Sequence, residues 1–302
     1  METARWIEYW VVDVFTDQPF RGNSAGVVLD AGNLPAETMR LIARELGSPE
    51  TAFADPFQRD GPGLRLRWFT ATCEVPFSGH ATLAALHVLA ETGRHTSSDP
   101  LTLEMLSGTL RGWPTGPRGE GHPEMEVPLP QLEAAPFGRE DLVAALLSPP
   151  EILAAHLPLL RDGLTLLVPC ASPEALLNLR PDFRRLSRLG LEHDITSFVC
   201  FSHQGPRGGP NWNLRLFAPG IGIAEDPVSG SAHAAVCAYL LAQGLIDTPA
   251  AGEGTWIGGQ GDNLDRRGQV QVQIAFDNRG QPAQVCIGGS AITVMRGHLR
   301  IV

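Results

Sequence analysis

The hydrophobic residues of this chain fall into two alternating patterns, which predict a mixture of strands and helices. Residues 6–14 and 64–69 are rich in β-branched and aromatic side chains, and the second run alternates apolar with basic positions, as a strand with one wet face does. Residues 37–46 instead carry apolar side chains at helical spacing and end at Gly47, a residue typical of helix C-termini.

Two further helices are predicted to be buried, because they are apolar on nearly every face. One runs through residues 81–91 after a Ser-Gly-His sequence at 78–80, and the other runs through 232–242 after a Ser-Gly-Ser sequence at 229–231. Each is followed two positions later by a glycine. The remaining predicted strands are 25–29, 51–54, 101–106, 124–128, 196–201, 213–217, 270–276, 284–287 and 291–295.

Two stretches have neither pattern. Residues 112–123 are dense in glycine and proline and are predicted to form a loop. Residues 136–160 are proline-rich and partly helical, and we place a domain crossover near their start. The length of 302 residues favours two domains, since domains of about 150 residues are the usual size.

The two buried helices belong to an internal repeat. Residues 73–93 match residues 224–244 at eight of 21 positions, with an offset of 151, and share the frame E-x-P-x-S-G-x-A. Just upstream, Phe69 and Phe217 occupy similar strands. An offset of half the chain is what a duplicated domain predicts. The alternative, two ordinary strand-turn-helix units, explains the shared Pro and Gly but less readily the shared Glu, Ser and Ala.

The duplication places a serine and a glycine at the start of each buried helix. A helix N-terminus offers free N–H groups and partial positive charge, which suit a carboxylate or a developing enolate. Gly79 and Gly230 would let a ligand approach the backbone closely. The alternative is that Ser78 and Ser229 only cap their helices.

Composition and charge exclude several classes of protein. With 43% apolar and 19% charged residues the chain is an ordinary globular protein, and its net charge of −10 argues against binding to nucleic acid or to a membrane surface. The five scattered cysteines contain no C-x-x-C pair and indicate reduced thiols. No signal peptide or membrane-spanning stretch is recognisable, so we expect a cytoplasmic protein.

Other catalytic chemistries find little support. The nine histidines form no H-x-x-x-H or E-x-x-H set, which argues against a metal site. No phosphate-binding G-x-x-x-x-G-K-[ST] sequence is present, and no G-x-G-x-x-G follows a strand. Ser78 and Ser229 have the wrong preceding residues for the nucleophile sequence G-x-S-x-G.

Six segments together resemble those of a known family. They are RGNSAGVVL (21–29), SPETAF (48–53), FSGHATLAA (77–85), EDPVSGSAH (225–233), GQGDNLDR (259–266) and IGGSA (287–291). In order and spacing they are similar to PhzF-like isomerases, relatives of diaminopimelate epimerase. The resemblance implies a duplicated two-domain α+β fold in which each domain wraps a curved, mostly antiparallel sheet around a central helix. We expect domains at 1–128 and 129–287, with the tail 288–302 packing back on the first.

The resemblance also implies roles for particular residues. The family's acid/base glutamate falls on Glu50, which in a partly desolvated cleft could have its pKa raised toward neutrality. Its substrate-contacting histidine falls on His80, with Gly79 beside it. From the sequence alone, a solvated loop glutamate and a structural histidine are the plainer interpretations.

In the second half, the resemblance points to the helix start. Asp226 would hold a substrate amine or orient a catalytic group, and Gly230 with Ser231 would bind the carboxylate. The plainer interpretation of Asp226 is a turn residue before Pro227.

Three departures from the family pattern bear on the chemistry. Diaminopimelate epimerases carry a cysteine base at each helix start, whereas this chain has Ser78 and Ser229, which are too weakly acidic to exchange protons unaided. One-carboxylate proton transfer therefore fits better than two-thiol racemisation. The sequences G-N-S-A, for G-N-P-A, and V-S-G-S, for A-T-G-S, are milder changes.

The sequence therefore predicts a cofactor-independent isomerase or epimerase that moves a proton on a small carboxylate-bearing substrate between the two domains. Neither a metal nor an organic cofactor is expected, and the resemblance suggests a homodimer. The competing hypothesis is a non-catalytic homologue that binds a small acid or a protein partner. The presence of Glu50, His80, Asp226 and Ser231 together favours catalysis.

Overall fold

The computed structural model describes residues 5–58, 62–95, 97–116, 121–147, 149–203, 209–249 and 252–301. The chain forms two compact units, the first made of 1–126 together with 288–302, and the second of 127–287. The C-terminal segment therefore belongs to the first unit.

The first unit is built on one mixed sheet. Its strands pair in the order β18-β1-β2-β3-β4-β6-β7-β8, and β5 adds to the end of β4. Its elements are β1 (Trp6–Val14), β2 (Asn23–Leu29), α1 (Ala36–Leu46), β3 (Glu50–Gln58), β4 (Pro62–Phe69), β5 (Glu74–Val75), α2 (Gly79–Glu91), β6 (Leu101–Met105), β7 (Gly108–Trp113), β8 (Glu124–Val127) and β18 (Ala291–Arg300).

The two helices of this unit serve different cores. α2 packs against β1, β2, β3 and β18, and most of its side chains are buried, as its all-round apolar sequence predicts. α1 is amphipathic and packs Met39, Ile42 and Ala43 into a separate cluster with residues of β2 and β3. Gly47 ends α1 in the left-handed conformation at φ 69°, where a side chain would be strained.

The second unit repeats this plan. Its strands pair in the order β9-β10-β11-β12-β13-β15-β16, and β14 adds to the end of β13. Its elements are β9 (Leu132–Ala134), α3 (Arg139–Ala145), β10 (Leu160–Asp162), β11 (Thr165–Pro169), α4 (Pro173–Leu177), α5 (Phe183–His193), β12 (Ser197–Ser202), β13 (Trp212–Ala218), β14 (Ile223–Asp226), α6 (Gly230–Ala242), β15 (Glu253–Gln260), β16 (Gly268–Phe276) and β17 (Pro282–Gly288).

The pairing pattern demonstrates the duplication. From β1 to β7 the successive pairs are antiparallel, parallel, antiparallel, parallel and antiparallel. From β10 to β16 the same five relations occur in the same order. In both units the buried helix, α2 or α6, connects the fourth strand of this series to the fifth.

Some sequence expectations were wrong in detail. The predicted loop at 112–123 begins inside β7, because the main chain of Gly112 pairs with Leu101 and with Met125 on either side. Residues 117–120 of that stretch lie outside the described residues. The sequence reasoning also missed β15, whose three glycines weaken its strand signal, although it pairs along its whole length with β16.

Candidate active site

Glu50 and His80 meet in the first unit. Glu50 is the first residue of β3 and lies beside Ala25 of the parallel neighbour β2. Because α2 packs on these two strands, its first turn comes next to the start of β3. Nε2 of His80 lies 3.2 Å from Oε2 of Glu50, and only 11% of the histidine side chain and 17% of the glutamate side chain are exposed.

This contact changes the acidity expected of Glu50. Burial raises the pKa of Glu50, because a charged carboxylate loses solvation. The hydrogen bond to His80 and the charge of its imidazole lower the pKa, and together they outweigh burial. The net pKa is below the ordinary value of 4.5, so the expectation of a raised pKa was wrong. Glu50 is therefore a carboxylate at neutral pH, which is the form of a base.

The start of α2 departs from an ordinary helix cap. Ser78 precedes the helix with extended backbone at φ −147° and ψ 110°, but its side chain makes no capping hydrogen bond. The Ser78 hydroxyl is buried and has no hydrogen-bond partner within the described part of the chain. The Ser78 hydroxyl therefore does not accept a hydrogen bond from the main-chain N–H groups at the start of α2.

The start of α6 is arranged differently. The Ser229 hydroxyl accepts a hydrogen bond from the N–H of Ala232 at 3.4 Å, which makes Ser229 a true N-cap. Gly230 is buried, whereas Ser231 is exposed. The hydroxyl oxygens of Ser229 and Ser231 lie 3.4 Å apart. Asp226, the last residue of β14, stands three positions before the cap.

The residues named from the sequence thus form two groups. Glu50, Gly79 and His80 come together in the first unit, with Glu50 and His80 in direct contact. In the second unit Asp226 ends β14, and Gly230 and Ser231 are the first two residues of α6.

The sequence analysis missed an arginine that pairs with a glutamate and lies over a phenylalanine ring before each helix start. We call this group of three residues a brace; in the first unit it consists of Arg67, Glu74 and Phe69. Arg67 forms two hydrogen bonds of 2.7 Å with Glu74, and its guanidinium lies 5.1 Å from the ring centre of Phe69. The internal repeat aligns Glu74 with Glu225, and Phe69 with Phe217. Each phenylalanine also has an arginine two positions before it, and this shared arginine could have revealed the pair from the sequence.

The second unit carries the same brace, more deeply buried. Arg215 bonds Glu225 at 2.9 and 2.8 Å and lies 4.9 Å from the ring centre of Phe217. Its remaining donors reach the carbonyl oxygens of Leu176 and Leu179. In both units an arginine therefore anchors the strand that leads into the Ser-Gly helix start.

Over the described ranges, no three His, Cys, Asp or Glu side chains cluster closely enough to hold a metal ion. In the same residues, no helix combines the length and apolar character that a membrane crossing requires.

Comparison with known proteins assigns the family. The family model described as phenazine biosynthesis-like protein matches residues 12–297. The chain belongs to this family. It is 36% identical over 303 residues to an uncharacterized isomerase of Deinococcus radiodurans, a match covering 98% of this chain and 95% of the relative.

Solved structures agree with this assignment. A PhzF-family phenazine biosynthesis protein of Bacillus anthracis superposes with a TM-score of 0.86 and 27% identity, over 98% of this chain and 100% of that one. A predicted epimerase of Pseudomonas aeruginosa, PA4716, gives a TM-score of 0.74 and 28% identity, over 97% and 99%. The fold is thus the duplicated epimerase-like α+β fold, and isomerase is the enzyme class that the chain shares with its relatives.

Proposed function

We propose that this chain is a cofactor-independent isomerase or epimerase that uses Glu50 as acid and base on a small carboxylate-bearing substrate. The observation that carries the proposal is the contact between the partly buried Glu50 carboxylate and His80 at the start of α2. A carboxylic acid must be ionised before it can accept a proton, and the contact with His80 lowers the pKa of Glu50 although partial burial raises it.

The reaction proposed is a proton transfer in two steps. Glu50 takes a proton from a carbon made acidic by the substrate carboxylate or by a conjugated π-system, and the electron pair of the C–H bond moves into that system. Glu50 then returns the proton to a different carbon, which isomerises the substrate. Return to the same carbon epimerises the substrate when the planar anion has first turned its other face toward Glu50.

The helix starts would stabilise the anion that forms between these steps. We assign the substrate carboxylate to the main-chain N–H groups at the two helix starts, around Gly79 and His80 in α2 and around Gly230 and Ser231 in α6. Asp226 and His80 would position the other polar groups of the substrate.

A binding protein without turnover is the alternative. It would share the carboxylate-binding helix starts but would have no need for an ionised, buried glutamate. The Glu50–His80 contact and the isomerase relatives favour catalysis.

Proton exchange measured by NMR in heavy water tests the proposal. Wild type and Glu50→Gln are incubated with a panel of small amino acids, hydroxy acids and dihydro-hydroxyanthranilate, each with and without a metal chelator. We expect deuterium incorporation or rearrangement of a panel member by wild type, no effect of the chelator, and loss of at least a thousandfold in the variant.

Glu45→Gln is the matched control, because Glu45 is an exposed glutamate of α1 in the same unit. It should exchange at the wild-type rate. Exchange that persists in Glu50→Gln would remove Glu50 from the reaction, and binding of a panel member without exchange would favour the alternative.

A further inference from the structure

Gln260 holds both ends of the turn that leads into α6. It is the last residue of β15, and only 2% of it is exposed. Its Oε1 accepts a hydrogen bond from the N–H of Ser229 at 2.9 Å, and its Nε2 donates to the carbonyl oxygen of Asp226 at 2.7 Å. One buried amide thus spans the segment between the last residue of β14 and the N-cap of α6.

From these contacts we infer that Gln260 is a positioning residue, which sets Asp226 and the N-terminus of α6 in the arrangement that binds the substrate. The inference rests on the proposed function, since it concerns the same binding residues. Gln260 itself acts through the main chain of Asp226 and Ser229 and need not touch the substrate.

Only an amide can make both bonds in this place. The Ser229 N–H requires an acceptor and the Asp226 carbonyl requires a donor, so a carboxylate or an apolar side chain of similar length satisfies one of them or neither. The first unit has no glutamine at the equivalent position. Its corresponding strand, β6, ends at Met105, whose side chain has no amide.

A second buried contact lies beside the amide. Nε1–H of Trp212 donates to Nδ1 of His233 at 2.9 Å, and neither residue has exposed surface. Burial lowers the pKa of His233 to about 3, while an interaction with the Gln260 side chain opposes this shift. The imidazole is therefore neutral, and because Nδ1 accepts a bond, its proton is on Nε2.

The Gln260 side chain can reach both Asp226 and Ser229 because the end of β15 lies close to the turn that they bound. Gly261 follows Gln260 with φ +92°, and a Cβ there would lie 3.1 Å from the carbonyl oxygen of Pro227. The end of β15 therefore lies directly against the 226–229 turn, within reach of a glutamine side chain.

The test separates the two hydrogen bonds in the full chain. Gln260→Met removes both, and Gln260→Glu keeps an acceptor for Ser229 but removes the donor to Asp226. Amide hydrogen exchange is followed by NMR at Ser229. We expect exchange there to be about tenfold faster in Gln260→Met, the factor given by loss of one hydrogen bond, and close to wild type in Gln260→Glu.

The substrate found in the heavy-water panel provides a second measurement. Because Asp226 loses its anchor in both variants, we expect KM to rise about tenfold in each while kcat changes less than about threefold. Gln269→Met and Gln269→Glu are the matched controls, since Gln269 is an exposed glutamine on the adjacent strand β16.

Three results would overturn the inference. The first is that the amide of Ser229 exchanges at the same rate in Gln260→Met as in Gln269→Met. The second is that exchange in Gln260→Met becomes faster evenly over α6, with a matching fall in Tm. The third is that KM is unchanged in the Gln260 variants. If the panel yields no substrate, the exchange measurement decides alone. Failure of the proposed function is recognised separately, because it is read from Glu50→Gln and leaves the Ser229 exchange untouched.

Discussion

Nε2 of His80 lies 3.2 Å from Oε2 of Glu50, although the two residues belong to different elements separated by β4 and β5. Burial alone would make Glu50 a weaker acid than an ordinary glutamate. His80 reverses that direction, so the contact decides whether the pKa of Glu50 lies above or below its ordinary value.

Removal of His80 should therefore raise the pKa of Glu50. In His80→Gln the effect of burial remains and the interaction with the imidazole is gone, so we expect the pKa of Glu50 to move from below 4.5 to above it. The acidic limb of the exchange rate should move to higher pH by the same amount. Carbon-13 NMR of the Glu50 carboxyl measures the pKa directly.

The same shift sets a pH dependence of stability. Since the folded-state pKa of Glu50 is lowered, its ionisation stabilises the fold above pH 4.5, and this contribution is lost as pH falls through the lowered pKa.

The control for His80→Gln is His298→Gln, because His298 is an exposed histidine on β18. A Glu50 pKa that is the same in both variants would show that His80 does not determine it.

The two arginine braces should differ in strength. Arg215 and Glu225 have 7% and 11% of their side chains exposed, against 32% and 25% for Arg67 and Glu74. Breaking a buried pair leaves an unsatisfied charge, so Glu225→Gln should lower the free energy of unfolding by about 3 kcal/mol. Glu74→Gln should cost about 1 kcal/mol, since water can solvate Arg67.

Denaturant unfolding of the two glutamine variants measures this difference. The duplication makes each variant the control of the other, because the paired atoms and the stacked phenylalanine are the same in both units. Equal losses would mean that burial does not decide the strength of the brace.

The helix-start serines should also respond differently to alanine. Ser229→Ala removes a capping hydrogen bond and should cost about 0.5–1 kcal/mol of stability, near the low end for a cap because the bond is 3.4 Å long. Ser78→Ala removes a buried hydroxyl that has no partner within the described residues, so stability should stay unchanged or rise slightly. Thermal unfolding of both variants tests this, and a loss in Ser78→Ala as large as in Ser229→Ala would contradict it.

Gly258 is expected to tolerate no side chain. A Cβ there would clash with Nδ1 of His233 and Nε1 of Trp212, both of them buried. Gly258→Ala should therefore cost about 2–3 kcal/mol and shift the indole N–H resonance of Trp212. Gly220→Ala is the control, because its Cβ would meet no atom within 4 Å. An indole resonance at the wild-type position would mean that the Trp212–His233 bond survives the substitution.

Local sequence determined much of the fold. The sequence predicted the buried helices α2 and α6. It also predicted where they begin, at the Ser-Gly sequences, and that they end before a glycine. Both follow because apolar periodicity and turn residues act over a few positions. The duplication was also visible, because similar strand-turn-helix units preserve similar short-range patterns. Strands such as β15 could not be predicted, since its glycine-rich sequence becomes a strand only through pairing with β13 and β16.

Tertiary structure alone decided the chemistry of the helix starts. The sequences around Ser78 and Ser229 are alike, yet one serine caps its helix and the other does not. The direction of the Glu50 pKa depends on His80, and the turn before α6 depends on Gln260, 31 residues from Ser229. Charge, burial and hydrogen bonding depend on which distant groups share a place in the fold, and that is information a local pattern does not contain.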